Sequence, residues 1–213
     1  WAPAVGDYVR EGVMNWVGTP EFDRMMEITG PYSFRKDYDM PKLLINAAGD
    51  EFFQPDSWKF YWDSLPGEKH VMYVPNSGHD VGDSDALPNL ISFYKSILDQ
   101  AKRPSYGWKV EGDQIKVTFD PANKPAAIKL WTAHNPTTRD FRIDVFGPNW
   151  TFEDIAVPDS GELTVDMTAP ETGFKGYFVE LTYGGDHPLK VTSGIDVLPR
   201  TYPFEPFVPK KSE

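Results

Sequence analysis

Cysteine is absent from the 213 residues of the sequence, which excludes disulfides, thiol nucleophiles and thiolate metal sites and leaves no redox signature of a compartment. Long apolar runs are absent too. The longest, Leu43–Ala48 with one Asn inside, falls far short of the ~20 residues that a membrane-spanning helix needs, so no span is expected. Basic residues are scarce: 21 Lys+Arg face 32 Asp+Glu, the formal net charge is −11, and no run of five Lys/Arg occurs. Such a surface repels phosphate backbones and anionic lipid heads, so nucleic acid is not an expected partner. The chain opens Trp1-Ala2-Pro3 with neither an initiator Met nor a charged-then-apolar leader, and we expect the natural start to have been removed. Nowhere does Gly-x-Ser-x-Gly occur, so no nucleophile elbow is visible.

What is present is a globular composition. A hydrophobic fraction of 40% with 15% aromatics can fill a core, and the length suits one large or two small domains. From Gly18 to about Arg103 helix and strand alternate. Thr19-Pro20 is a helix start, with Thr as N-cap and Pro at the first helical position, and Phe22, Met25, Met26 and Ile28 follow at helical spacing. Lys42–Gly49 is a nearly continuous apolar run, the mark of a strand buried on both faces of a parallel sheet. Asp56-Ser57 can cap a helix over Trp58–Leu65, and a second strand comes next at His70–Pro75, giving a right-handed crossover between parallel strands. A last helix begins at or just before Asp85, and its apolar face of Leu87, Leu90, Ile91, Tyr94, Ile97 and Leu98 is expected to cover that sheet.

After Arg103-Pro104 the period changes to alternation. Lys109-Val110, Gln114–Phe119, Ala127–Thr132, Glu162–Met167 and Tyr177–Thr182 with Tyr183 read as antiparallel strands separated by Gly, Pro and Asn turns, as in a β-sandwich of about 95 residues. The expected organisation is therefore an α/β unit over residues 1–103, a β-sandwich over 104–200 and an extended tail over 201–213.

Chemistry is best sought in Asn46–Pro55 and Pro75–Asp80. Asp50 and His79 each come directly after one of the neighbouring parallel strands, and functional groups in such sheets collect beyond the carboxyl ends of the strands. A carboxylate beside an imidazole fixes its tautomer and stabilises the imidazolium, the acid–base half of a triad in the order Ser…Asp…His. Asp50 could equally be a turn residue capping the next helix, Glu51 could replace it as the acid, and His79 could be an ordinary loop histidine. Ser77 shares the turn of His79 and is expected to be structural. The oxygen-rich stretch His79–Asp85 lacks the twelve-residue spacing and closing Glu of a calcium loop, and no metal or cofactor is expected. His70, His134 and His187 stand alone and are expected to be packed or solvated. Trp108, Trp131 and Trp150 raise the alternative of carbohydrate binding through the β domain, against ordinary packing.

Gly49-Asp50-x4-Pro55 after a strand, then a second strand and Gly78-His79, resembles the C-terminal half of an α/β-hydrolase. More closely, Trp1-Ala2-Pro3-Ala4, Asp7-Tyr8, Met25–Glu27, Pro31-Tyr32-Ser33, Pro41–Phe53, Leu65–Lys69 and Tyr73–Asn76 resemble the PhoPQ-activated pathogenicity-related protein family, with Trp131, Asn135-Pro136 and Arg139-Asp140 continuing the likeness more weakly. The resemblance implies Asp50 as triad acid, His79 as triad base, and a secreted or periplasmic protein. The serine and most oxyanion donors are then expected on an N-terminal segment or chain that also completes the sheet. The activity implied is ester or amide hydrolysis of an unidentified small molecule or peptide, the alternative being a non-catalytic secreted signal or scaffold on the same fold.

Overall fold

The computed structural model describes residues 3–209, with side chains from residue 5 onward. Trp1 and Ala2 of the opening motif and Lys210–Glu213 of the tail lie outside the described residues. Two short helices open the chain, α1 (Pro3–Arg10) and α2 (Pro20–Thr29). Thr19 caps α2 as its sequence position dictates, its hydroxyl accepting the Phe22 N–H at 3.3 Å. The apolar positions of α2 nonetheless find no core: Met26 and Ile28 are exposed, and between residues 5 and 41 only Thr19 and Gly30 are buried.

Strands β1 (Lys42–Ala47) and β2 (Lys69–Val74) pair in parallel, from Lys42↔Lys69 to Ala47↔Val74. The expected parallel pair is present, but among the described residues the parallel sheet goes no further than these two strands. The expected crossover helix over Trp58–Leu65 is replaced by two 3₁₀ segments, Ser57–Phe60 and Trp62–Ser64. Asp56 does not cap the first of them; its carboxylate binds Lys59 and Arg139 instead. An ion pair to a residue far along the chain has taken the side chain that local sequence assigned to a helix end. β1 is also less buried than its apolar run implies: Lys42–Asn46 are half-buried, because among the described residues no strand covers the edge of β1 facing away from β2.

The two edges of β2 are both occupied. On the side away from β1, the Val71 N–H is 3.3 Å from the Tyr106 hydroxyl and the Tyr73 N–H donates to the Thr192 hydroxyl at 3.1 Å. Both hydroxyls come from the β-rich half, which thus satisfies the alternate amides of the strand without adding another strand.

Helix α3 (Ala86–Leu98) turns the opposite face inward from the one its apolar spacing suggests. Ala86, Asn89, Phe93 and Ser96 are buried, whereas Leu87, Leu90, Ile91, Tyr94 and Leu98 are exposed. Asn89 explains the inversion: its amide donates to the Lys190 carbonyl at 2.9 Å and its carbonyl accepts the Lys190 N–H at 2.7 Å, so a polar side chain fits the inner face because it satisfies a strand's main chain.

The β-rich half contains β3 (Tyr106–Glu111), β4 (Gln114–Phe119), β5 (Ala127–Asn135), the one-turn α4 (Ile143–Phe146), β6 (Thr151–Ile155), β7 (Glu162–Asp166), β8 (Phe174–Tyr183), β9 (Leu189–Thr192) and β10 (Asp196–Leu198). One antiparallel sheet runs β3-β4-β7, and the other runs β10-β8-β5-β6 with β9 also on β8. Their facing sides form a sandwich core of Ile115, Val117, Ile128, Val179, Leu181 and Val191. A second cluster joins both halves, with Ala48, Val71 and Tyr73 packed among Trp150, Phe178, Ile195 and Val197. The chain is thus of mixed helix and strand, mostly antiparallel, with one parallel pair resting on a sandwich-like pair of sheets.

Polar contacts cross the same junction. Arg139, Asp56, Lys59, Asp196, Arg200 and Asp113 form a chain of alternating sign, linked at 2.6, 3.1, 2.6, 2.6 and 3.0 Å. Burial pushes the Asp56 carboxyl up, but the Arg139 hydrogen bond and the charges of Arg139 and Lys59 outweigh it and leave the group below its ordinary value. Nearby, Glu68 receives a two-point contact from Arg103 at 2.5 and 2.8 Å and lies 2.8 Å from His70 Nε2. The Arg103 hydrogen bond, opposed by burial and helped by His70, holds the Glu68 pKa at about 2. A carboxyl depressed in the fold contributes stability above its unfolded pKa and loses it as pH falls through the folded value. Glu68→Gln should therefore lower the urea midpoint most at neutral pH, and the gap from wild type should shrink as pH falls from about 4.5 toward about 2. A gap that stays constant over that interval would contradict the assignment.

Candidate functional site

Gly49 ends β1 inside a tight junction. A Cβ there would lie 2.9 Å from the Ser77 carbonyl and 3.2 Å from the Ile143 nitrogen, so only glycine lets three segments meet. Its own N–H donates to Ser77 O at 3.1 Å, and its carbonyl accepts the Ile143 N–H at 2.8 Å. Asn76, in the left-handed region at φ 55, exchanges two hydrogen bonds with the Trp150 main chain, at 2.9 and 2.8 Å. Both loops at the ends of the parallel strands are thereby fastened to residues 143–150 of the β-rich half.

On that base the chain places Asp50 and His79 together. The His79 Nδ1 is 3.0 Å from Asp50 Oδ2 and 3.3 Å from Oδ1. Oδ1 also accepts the N–H groups of Phe52 and Phe53, at 2.8 and 3.0 Å. The turn role that the sequence allowed Asp50 is thus present in the fold, and it leaves the other oxygen facing the imidazole. The Asp50 side chain is only 9% exposed and that of His79 is 50% exposed, so a shielded carboxylate backs a ring whose Nε2 has no hydrogen-bond partner among the described residues. Phe52 packs edge-on against the imidazole with centroids 4.7 Å apart, and Phe53 lies at 5.7 Å.

Glu51 does not take the place of Asp50. Its Oε2 accepts the main-chain N–H of His79 at 2.8 Å and leaves the ring to Asp50. Ser77 is buried, with its hydroxyl 3.4 Å from the Gly78 carbonyl, as a structural residue. In the loop after His79, Val81 and Asp83 adopt φ 47 and 49; for a β-branched residue such as Val81 this is strained backbone directly beside the site. Sequence reasoning had no signal for the Glu51 contact or the Ile143 contact, since both end on main-chain atoms.

The remaining candidates fall elsewhere. His70 is buried and stacks on Tyr106 at 5.6 Å; His134 contacts the Thr172 carbonyl and His187 contacts Asp99. Trp150 is buried, Trp108 packs against Trp58 and Trp62, and the Trp131 Nε1 donates to Glu180 at 3.0 Å. Trp150 is thus a core residue, and Trp108 and Trp131 are half-buried among other rings. Among the described residues no group of three His, Asp or Glu side chains is placed to hold a metal ion, and no helix is long and apolar enough to cross a membrane.

Comparison with known proteins agrees with the local resemblance. Residues 1–142 match the model of the PhoPQ-activated pathogenicity-related protein family, a span that includes Asp50, Glu51 and His79 but stops short of the supporting residues 143–150. The chain belongs to that family. This PhoPQ-related chain is also 29% identical over 232 aligned positions to the autocrine proliferation repressor protein A of Dictyostelium discoideum, an alignment covering 96% of the chain and 47% of that protein. The PhoPQ-related chain thus spans about half the length of this relative. Among solved structures, a pectate lyase of Erwinia chrysanthemi in complex with tetragalacturonic acid aligns over 46% of the chain and 28% of its own, at 13% identity and a TM-score of 0.23, a value too low to relate the two folds.

Proposed function

We propose that this chain carries the acid and base of a secreted or periplasmic serine-type hydrolase acting on an ester or amide, and that it corresponds to the C-terminal half of an α/β-hydrolase followed by a β-sandwich. The observation that carries the reading is the Asp50–His79 contact at 3.0 Å beyond the carboxyl ends of two adjacent parallel strands. In this scheme His79 Nε2 takes the proton of a serine hydroxyl as its oxygen attacks the acyl carbon, then returns that proton to the departing alcohol or amine. Water deacylates the serine by the same proton route in reverse, and Asp50 holds the ring and offsets the imidazolium charge throughout.

The serine belongs to an upstream segment. In favour of such a segment stand the uncovered edge of β1, the outward apolar face of α3 and the near absence of buried residues between residues 5 and 41. An apolar surface of that extent, with a free strand edge beside it, is what a missing part of a sheet would cover. The likeness to a protein named an autocrine proliferation repressor favours a second reading, a secreted signal that keeps the scaffold without turnover.

The two readings separate on serine-directed labelling. Protein from its natural source is treated with a fluorophosphonate at neutral pH, denatured, and every polypeptide weighed. A single adduct on a serine upstream of, or on a chain co-purifying with, these residues is expected, and it should vanish when His79 is alanine. A natural-length protein that takes up no label would overturn the hydrolase and leave the signal.

A further inference from the structure

The proposed mechanism gives Glu51 no part, yet its carboxylate is committed to the same histidine that Asp50 serves. Glu51 Oε2 accepts the His79 main-chain N–H at 2.8 Å. The other oxygen lies over Gly78, where a Cβ would come within 2.6 Å of it, so a side chain at the preceding residue would push the carboxylate from the place where it meets the amide. Adjacent residues of one loop thus hold two different points of His79, Asp50 its ring and Glu51 its backbone. A ring held at one nitrogen can still swing with its own loop. Here Asn76 and Ser77 are fastened to neighbouring segments, but just past them His79 is half exposed and the hydrogen bonds of Val81, Gly82 and Ser84 are local to the loop. An ionised acceptor makes the amide contact stronger than a neutral one. On its far side Glu51 lies within electrostatic reach of Arg142, which is itself paired with Asp140 at 2.7 Å.

We propose that Glu51 is the positioning residue of this site: by fixing the His79 main chain against the β1 loop it holds Nδ1 on Asp50 and keeps Nε2 directed outward. Its consequence for turnover rests on the hydrolase reading, whereas the positioning itself does not.

The test separates the two. In the ¹⁵N-labelled chain, two signals are read: the Nδ1–H resonance of His79, which depends on the Asp50 contact, and hydrogen exchange at the His79 main-chain amide. Asp50→Asn marks the loss of the first. Glu51→Ala is expected to abolish the Nδ1–H resonance and to speed exchange of the His79 amide by about ten- to a hundredfold, as loss of a charge-assisted hydrogen bond does. Exchange at Val179 in the buried core should be unchanged. Glu51→Gln, which keeps an acceptor oxygen, should retain the resonance. Gly78→Ala leaves the carboxylate in the sequence but blocks its approach and should reproduce the Glu51→Ala result, so the outcome does not hang on one variant's folding. In the natural-length protein Glu51→Ala should then lower kcat with little change in KM. Unchanged Nδ1–H and amide exchange in Glu51→Ala would overturn the proposal, even if kcat fell. The expected spectra in a protein that hydrolyses nothing would uphold the positioning and overturn the hydrolase.

Discussion

Replacing His79 by alanine in the natural-length protein is expected to lower kcat/KM for an activated ester by about 10⁴-fold, roughly 5.4 kcal/mol of transition-state stabilisation. The size reflects the proton route. In the proposed hydrolase, a serine without Nε2 would have to lose its proton to water as it attacks, and the leaving atom would lose the acid that Nε2 supplies. Asp50→Asn should cost nearly as much for a different reason. The Asn oxygen can still close the turn by accepting from Phe52 and Phe53, as Asp50 Oδ1 does, but an NH₂ group then faces Nδ1 at the position where Oδ2 stands 3.0 Å away. Two donors cannot share that contact, so the ring is driven to the tautomer whose Nε2 already carries a proton and cannot take another. Fold should survive both changes, which circular dichroism checks. A loss smaller than tenfold in either variant would remove these residues from the reaction.

The second large effect is on stability. Arg139→Ala should destabilise the chain by about 3 kcal/mol, because it strands a buried charge rather than because it removes an attraction. The Asp56 and Arg139 side chains are 1% and 5% exposed, so water cannot replace the lost partner. Lys59, 3.1 Å from Asp56, keeps the loss below the upper end of such cases, since part of the compensation remains. For a chain of this length the melting temperature should fall by roughly 6–12 °C. The double variant Asp56→Leu/Arg139→Leu should recover most of that loss, since an apolar pair of similar volume carries no desolvation penalty. Calorimetry on Arg139→Ala and the double variant decides it: if Arg139→Ala melts within a degree or two of wild type, the network is ornamental.

Much of the site was legible in the sequence because it is built from local signals at strand ends. Apolar runs marked β1 and β2, and the residues just past them were Asp50 and His79. The antiparallel strands β4, β5, β7 and β8 also stood out, since alternation over five or more residues is a strong pattern, while β3 showed only at Lys109-Val110. Part of what the sequence hid has a common physical cause: the deciding partner lies far along the chain. Asp56 reads as a cap until Arg139, 83 positions later, claims it. Asn89 looks like a polar residue for the outer face of α3 until the Lys190 main chain, 101 positions on, draws it inward. The short strands β9 and β10 and the turn α4 carry too few residues to show a period at all. Glu51 was visible as an acid beside an acid, but its contact is with a backbone amide, and main-chain groups leave no letter in a sequence.

The hydroxyl contacts along β2 bear on stoichiometry. With the Val71 and Tyr73 amides already taken by Tyr106 and Thr192, the parallel pair can be lengthened sideways in one direction only, beyond β1. The upstream strands proposed above and a second copy of the chain would compete for that one edge. Pairing of copies through it is open only where the upstream strands are absent, and it then stops at a two-fold pair rather than propagating into a filament.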